Sequence, residues 1–264
     1  MEIAGYLASV LIGVTLGLIG GGGSILTVPV LVYLMGTDAI LATTYSLFIV
    51  GVTGAVGSLS YFSKRLVNIR TAVVFGLPSI TAVFVTRAFI LPSIPPTLIT
   101  TEYFTLTKSN FLLLLFALLM ISASYNMIKK QVITAAESQQ QKFNFPMILA
   151  VGAMEGFLTG LVGAGGGFLI IPALVLLGKL PMKEAVGTSL VIIAVKSLIG
   201  FAGSVTDVPV EWMLLFKVSA FAVSGIFIGV ALSKRVDGAK LKPAFGWFVL
   251  AMGLYILLKE TLFK

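Results

Sequence analysis

Two clusters of glycine interrupt otherwise apolar sequence. The first lies between Gly17 and Ser24, and the second lies between Gly160 and Gly167, 143 positions later. Glycine leaves the backbone conformationally free, and several glycines in a row do not form a stable helix. At membrane depth a broken backbone persists only where protein or a water-filled cavity supplies hydrogen-bond partners. Two such breaks at matching positions therefore point to a polar site inside a membrane protein.

The composition agrees with a membrane protein. Of 264 residues, 58% are hydrophobic and 11% are charged, whereas a soluble domain averages about 25% charged residues. A span needs roughly 20 apolar residues, so the length leaves room for about eight spans and no sizeable soluble domain. The sequence has no cysteine and no histidine, which argues against disulfides, thiol or imidazole catalysis and most transition-metal sites. We expect no cofactor, no metal and no catalytic residue.

A constant offset of 143 positions relates the two halves of the chain without a gap. The identical pairs include Gly17/Gly160, Gly20/Gly163, Gly22/Gly165, Gly23/Gly166, Pro29/Pro172, Ser46/Ser189 and Gly57/Gly200. Apolar composition alone would match leucines and valines by chance, but not these residues in register. The sequence predicts an internal duplication, with a first repeat at 1–130, a linker at 131–142 and a second repeat at 143–264.

The basic residues predict the orientation of the chain in the membrane. The net charge of +8 would suggest a nucleic-acid partner in a soluble protein; here the basic residues cluster in short loops, which predicts cytoplasmic loops and no nucleic acid. The loops contain Lys64, Arg65 and Arg70; Lys129, Lys130 and Lys142; Lys179 and Lys183; and Lys234, Arg235, Lys240 and Lys242. One consistent trace follows: segment 3–35 begins and ends outside, and segment 143–178 begins and ends inside.

Each interrupted segment is therefore predicted to be a re-entrant hairpin, which enters and leaves the membrane on the same side and has a glycine tip. Three full spans follow each hairpin, at 38–62, 69–91 and 109–128, and at 181–203, 209–233 and 243–259. Because three is odd, the second repeat is inverted relative to the first. The predicted fold is an all-α integral membrane protein of two inverted repeats in the inner cell membrane. The alternative, one crossing for each interrupted segment, would place the basic loop 234–242 outside.

The hairpin tips are the first candidate site. Consecutive glycines can present several backbone N–H groups to one point, and the helix that follows each tip adds its partial positive charge. The candidate residues are Gly20, Gly21, Gly22, Gly23 and Ser24 in the first repeat, and Gly163, Gly165, Gly166 and Gly167 in the second. They predict an anion-binding or pore site near the membrane midplane. The alternative is close helix packing, since small residues line membrane helix interfaces.

Hydroxyl groups on the span after each hairpin are the second candidate. Thr44 and Ser46 occupy this position in the first repeat, and Thr188 and Ser189 occupy it in the second. Hydroxyls can reach an oxyanion as neutral donors. They can equally bond the carbonyl groups of their own helix.

Charged residues inside predicted membrane segments form the third candidate. Lys196 lies within 181–203, and Glu155 lies just before the second glycine cluster. Such residues are costly in a membrane and are functional hypotheses by default. Lys196 can bind the anion or pair with Glu155, and Glu155 can carry a proton or serve as the static partner of Lys196. Arg87 and Lys217 are weaker candidates, because both lie nearer the outer ends of their spans and can snorkel.

These features resemble the TauE/SafE family, also called the sulfite exporter family. The resemblance covers nearly the whole chain and rests on the duplicated glycine segments leading to Pro29 and Pro172, and on Ala185, Thr188 and Ser189. The first repeat departs from this pattern with Tyr45 in place of the threonine, which puts a symmetric site in doubt. The resemblance implies export of sulfite, organosulfonates and related small anions; the residues themselves indicate only a small anion in a membrane-embedded site.

The sequence thus predicts a secondary transporter of a small anion, surrounded by membrane lipid. The alternative is an anion channel, which would use the same glycine tips and the same lysine. An enzyme is not expected, because the chain lacks histidine and cysteine and its buried carboxylates form no pair. A structural scaffold would leave the inverted glycine repeats unexplained.

Overall fold

The computed structural model describes residues 2–101, 104–128, 145–206, 209–233 and 238–262. The helices are α1 (Glu2–Ile19), α2 (Thr27–Pro29), α3 (Ala39–Phe62), α4 (Ile69–Val85), α5 (Leu91–Ser93), α6 (Lys108–Ile128), α7 (Phe145–Val162), α8 (Gly167–Leu176), α9 (Met182–Ala202), α10 (Trp212–Leu232) and α11 (Gly238–Leu262). A 3₁₀ turn at Gly22–Leu26 precedes α2, and π-helical turns at Val30–Leu34 and Thr86–Ile90 follow α2 and α4. The predicted linker, 131–142, lies outside the described residues.

Five of these helical stretches are long and apolar enough to cross a membrane within the described part of the chain. They are Ala39–Phe62, Ile69–Ser93, Lys108–Tyr125, Met182–Ala202 and Trp212–Leu232, and each coincides with a predicted span. The predicted span 243–259 falls inside α11, which begins earlier, at Gly238. The chain is therefore a multi-pass, mainly helical membrane protein.

A small β-hairpin adds to the predicted helices. Strands β1 (Thr97–Thr101) and β2 (Phe104–Thr107) pair antiparallel in the loop between α5 and α6. Threonine is abundant in both strands, and β-branched residues favour extended backbone. The helix-only prediction missed this hairpin because it was drawn from apolar stretches alone.

Each glycine-interrupted segment folds back on itself. A Cβ placed on Gly23 would overlap the main chain of Leu16, and a Cβ on Gly5 would lie 2.7 Å from Cγ of Met35. The two ends of the first segment therefore lie side by side. In the second segment Gly166 lies against Glu155 and Thr159, about two turns and one turn before the end of α7.

Glycines bring α1 and α7 into close contact with two spans. A Cβ on Gly13 would overlap the carbonyl oxygen of Ala222 in α10, and a Cβ on Gly156 would overlap the carbonyl oxygen of Ser79 in α4. Along α1 and α10 the contacts advance together, from Val10 beside Gly225 to Val14 beside Gly229. Each of these helix pairs therefore runs in one direction with backbones in contact, as small residues allow.

The central helices α3 and α9 run in opposite directions. Gly51 faces Leu198, Gly54 faces Ala194, and Gly187 packs on Tyr61. The outer helices α6 and α11 are also antiparallel, since Gly246 faces Met127 while Gly253 faces Met120. Residues separated by 143 positions, such as 51 and 194, thus lie on helices that point opposite ways.

The close packing of α1 on α10 predicts a steric test. Gly225→Ala places a methyl group against the main-chain oxygen of Val10, where nothing flexible can move aside. We expect a loss of about 1–3 kcal/mol, the usual cost of overpacking, seen as a lower thermal midpoint of the purified protein in detergent.

Gly76→Ala is the matched control for this test. Its new methyl group would meet its nearest neighbour, a side-chain carbon of Ile192, at an ordinary 3.7 Å. Equal midpoints for the two variants would contradict the close contact between α1 and α10.

Candidate functional site

The two glycine clusters meet at the centre of the molecule. A Cβ on Gly21 would overlap the Cα of Gly167, and a Cβ on Gly167 would overlap the Cα of Gly21. Nearby, a Cβ on Gly165 would lie 3.2 Å from the Cβ of Ser24. The tips therefore touch through backbone, and a side chain at either of the first two positions would push them apart.

A buried cluster of charged and hydroxyl side chains contacts the second glycine tip. The ammonium group of Lys196 donates to Oε1 of Glu155, and the two residues are 0% and 3% exposed. Thr159 Oγ1 donates to the same oxygen at 2.7 Å, and Ser79 Oγ donates to Oε2 at 2.7 Å. Lys196 also lies 3.4 Å from Thr159 Oγ1. The carboxylate thus accepts three hydrogen bonds in a site closed to solvent.

Three helices build this cluster. Glu155 and Thr159 are four residues apart on α7 and share one face, α9 supplies Lys196, and α4 supplies Ser79. Both interpretations of Lys196 therefore start from a lysine that is already paired with Glu155.

Gly166 covers the cluster. Its φ is +65°, a left-handed conformation that glycine adopts without strain. A Cβ here would overlap Glu155 Oε1 and Thr159 Oγ1 and lie 2.6 Å from Lys196 Nζ. The ion pair consequently sits against the backbone that leads into α8, at the helix end that carries partial positive charge.

The first repeat has no such cluster at the corresponding positions. Ile12, Leu16 and Thr53 stand where the second repeat has Glu155, Thr159 and Lys196. Ile12 and Leu16 are buried, and the Thr53 hydroxyl donates to its own helix at Ile49 O. The ionic chemistry at the tips is therefore asymmetric.

The predicted hydroxyls lie apart from this cluster. Thr188 Oγ1 accepts from the backbone N–H of Asn68 at 2.9 Å, and Ser189 Oγ donates to Val186 O at 2.8 Å. Thr44 donates to Ile40 O and accepts from Arg87, while the buried Ser46 hydroxyl has no partner in the structure. Because α3 and α9 are antiparallel, Thr44 and Thr188 lie toward opposite ends of the pair.

The remaining tip glycines make close contacts with neighbouring elements. Gly20 packs on Val186, Gly23 packs on α1, and Gly163 packs on the main chain of Thr43. Gly22 begins the 3₁₀ turn. The packing interpretation therefore holds for several of these glycines, while Gly21, Gly165, Gly166 and Gly167 surround the point where the tips meet.

Arg87 does not snorkel, contrary to the sequence prediction. It is 0% exposed, and its guanidinium donates to Thr43 Oγ1 at 3.2 Å and to Thr44 Oγ1 at 3.3 Å. The physical reason is that α3 places two hydroxyls and the carbonyl of Thr43 within reach, so the side chain turns inward. Lys217, by contrast, is exposed.

Ser79 and Thr159 were missed as site residues. The signal for Thr159 is its spacing of four residues from Glu155, which places both on one helix face. Ser79 lies on a different helix, 76 positions before its partner, and no local pattern connects them.

Among the described residues, five helices long and apolar enough to cross a membrane, together with a buried ion pair, define a polytopic helical membrane protein with a polar interior. Residues 6–256 match the family described as "Sulfite exporter TauE/SafE". The chain belongs to this family of membrane transporters, and it is not an enzyme.

Curated relatives carry matching names. The chain is 32% identical over 253 residues to a "Probable membrane transporter protein" of Xylella fastidiosa, with 94% of this chain and 91% of the relative covered. It is 28% identical over 247 residues to "Probable membrane transporter protein YunE" of Bacillus subtilis, with 86% and 87% covered. A relative in Methanocaldococcus jannaschii, "Probable membrane transporter protein MJ0441", is 23% identical over 266 residues, with 94% and 92% covered. No solved structure matches.

The buried pair predicts a compensating double mutant. Lys196→Met leaves the Glu155 carboxylate buried without its cation, which costs about 3–5 kcal/mol. Adding Glu155→Gln removes the charge and recovers most of that loss. The measurement is the thermal midpoint of each variant in detergent. Additive losses in the double mutant would show that the two side chains do not interact.

Proposed function

We propose that this protein is a secondary transporter that exports a small anion such as sulfite or an organosulfonate, in exchange with or together with protons. The anion binds near the membrane midplane between the two glycine tips. The observation that carries the proposal is the backbone contact of Gly21 with Gly167 beside the buried pair of Lys196 and Glu155. Transporters hold ionic substrates where helices are interrupted, so that free backbone groups lie beside buried charges.

The proposed architecture is two inverted repeats, each a re-entrant hairpin followed by three spans. The antiparallel packing of α3 on α9 and of α6 on α11 supports inversion, because these helices occupy equivalent places in the two repeats. A shift of 143 positions also turns the contact of Gly13 with Ala222 into that of Gly156 with Ser79. Single crossings for the interrupted segments would instead make α3 and α9 parallel.

The proposed depth follows from the same symmetry. Shifting the contact between Gly51 and Leu198 by 143 positions gives, to within one residue, the contact between Ala194 and Gly54. Lys196 lies between Ala194 and Leu198, at the crossing of α3 and α9. For two antiparallel helices of similar length, that crossing is the middle of the membrane.

The proposed anion site combines backbone and side chains. It consists of Gly20, Gly21, Gly22, Gly23, Ser24, Thr44, Ser46, Gly163, Gly165, Gly166, Gly167, Thr188, Ser189 and Lys196. The residues around the tip contact form the centre of this site. The hydroxyl groups contact the anion as it approaches the centre from either side. Sulfur oxyanions are proposed because the family is described as sulfite exporters, and because backbone N–H groups and lysine suit an oxyanion.

Glu155 provides the proposed proton coupling. In the structure its carboxylate neutralises Lys196. Protonation of Glu155 would release the ammonium group to an incoming anion, so the site would keep the same net charge with one proton and one anion added. Loss of the anion would return Lys196 to the carboxylate and expel the proton.

The proposed location is the inner cell membrane, with segment 3–35 entering from outside, because basic loops favour the cytoplasmic side. Thr37→Cys and Lys183→Cys should then be labelled from opposite faces by an impermeant maleimide, since Thr37 is partly exposed and Lys183 is exposed. Thr37→Cys should react from outside, as should Ser93→Cys, the control for the same face. Labelling of Thr37→Cys and Lys183→Cys from one face would contradict the re-entrant hairpins.

Flux in proteoliposomes tests the function. Sulfite, taurine, methanesulfonate, sulfate and chloride are compared with and without an imposed pH gradient. We expect saturable flux of a sulfur oxyanion or sulfonate that a pH gradient drives. Flux that does not saturate and follows membrane potential alone would instead identify an anion channel, and the absence of flux for every anion would contradict anion transport.

Variants link this flux to the site. Gly21→Ala should abolish it, because its methyl group separates the tips, whereas Gly76→Ala should retain it. Glu155→Gln should retain anion binding and lose the response to a pH gradient. Unchanged pH coupling in Glu155→Gln would assign the proton to another group.

A further inference from the structure

A second buried cation lies away from the tip contact. Arg87 is fully buried, and no carboxylate of the described residues lies within 4.0 Å of its guanidinium. Its hydrogen bonds go to the two threonine hydroxyls and one carbonyl of α3, and within the described part of the chain its Nε has no hydrogen-bond partner. A guanidinium in this setting keeps its charge without a neutralising group. Such a charge is costly at membrane depth unless it has a counter-ion.

A cavity of about 380 Å³ adjoins this guanidinium. Its lining brings together Arg87, Thr44, Lys108 and Ser204. The Ser204 hydroxyl is buried and has no hydrogen-bond partner among the residues that the structure describes, so it can donate to a bound group. The volume holds a small oxyanion together with several waters.

Among the described residues, one carboxylate also lines the cavity, and it already has hydrogen-bond partners. Asp38 Oδ1 accepts from the backbone N–H of Ile40 at 2.8 Å, and Oδ2 accepts from Ser109 Oγ at 3.1 Å. Asp38 is exposed at the start of α3, whereas Arg87 is buried. The cavity lining thus has an acidic residue, Asp38, at the surface and a cationic residue, Arg87, in the interior.

Arg87 connects the cavity to the second glycine cluster. Gly163 packs on the main chain of Thr43, which Arg87 contacts, and Gly160 packs on Thr86. The position equivalent to Arg87 in the other repeat is Val230, and the position equivalent to Thr43 is Val186. The pair of Arg87 and Thr43 therefore has apolar counterparts at the equivalent positions of the other repeat.

We propose that Arg87, with Thr44 and Ser204, forms a second anion-binding site that opens through this cavity on the α3 N-terminal side. It holds a small oxyanion between the membrane surface and the tip contact, on the side from which Lys108 and Asp38 line the entrance. The site extends the proposed function, and only the identity of its natural ligand rests on that function.

The test uses cysteine chemistry in a chain that has no cysteine. Leu41→Cys introduces a partly exposed thiol in the cavity lining. Its rate of modification is compared for a methanethiosulfonate reagent with a sulfonate group and one with a trimethylammonium group. We expect the anionic reagent to react faster, and Arg87→Gln to lower the ratio of the two rates about tenfold or more.

Two controls separate a local site from a general effect of charge. Lys217→Gln removes one cation from an exposed position outside the cavity, and it should leave the ratio unchanged. Ser93→Cys, exposed and outside the lining, should show no dependence on Arg87. An equal ratio with and without Arg87 in Leu41→Cys would overturn the proposal.

If Arg87→Gln does not fold, the site is tested with Arg87 unchanged. In the Leu41→Cys protein, millimolar sulfate should slow the anionic reagent but not the cationic one. A rate that sulfate does not change would overturn the site. Flux is measured on the same preparation, so a protein that shows this protection but transports no anion would retain the site and refute the proposed function.

Discussion

The contact between the two glycine clusters is the constraint on which the rest of the structure depends. Gly21 and Gly167 touch through backbone, so the depth to which each glycine cluster reaches into the protein is fixed by the other. That depth fixes α1 against α10 and α7 against α4, and both packings use further glycines. Glycine is needed here for its size, because one extra carbon on either side would separate the tips.

The ion pair of Lys196 and Glu155 explains why such a tight centre is also polar. Two charges taken from water into an apolar interior cost free energy that their attraction only partly offsets. The carboxylate is satisfied by Ser79 and Thr159 as well as by the lysine. A protein selected for stability alone would gain from apolar residues here, as the first repeat has at Ile12 and Leu16. The pair is better explained by a site in which charge must be exchanged.

The charges are distributed unequally over the two halves. The Lys196 cluster has apolar or neutral counterparts in the first repeat, and Arg87 has Val230 as its counterpart in the second repeat. One cation therefore lies beside the tip contact and another lines the cavity of about 380 Å³. Positions related by the offset of 143 residues thus differ in charge at both sites.

The sequence by itself determined the membrane class and the broken segments, because these follow from apolar length and from clustered glycines. It also predicted spans at five places where the structure has helices long and apolar enough to cross a membrane. It left open whether Lys196 pairs with Glu155, and it wrongly expected Arg87 to snorkel. It also did not connect Ser79 to Glu155. Those outcomes depend on which helices become neighbours: Glu155 and Lys196 are 41 positions apart, and Ser79 and Glu155 are 76 apart. Only the tertiary structure decided them, since helix packing selects partners that local sequence patterns do not encode.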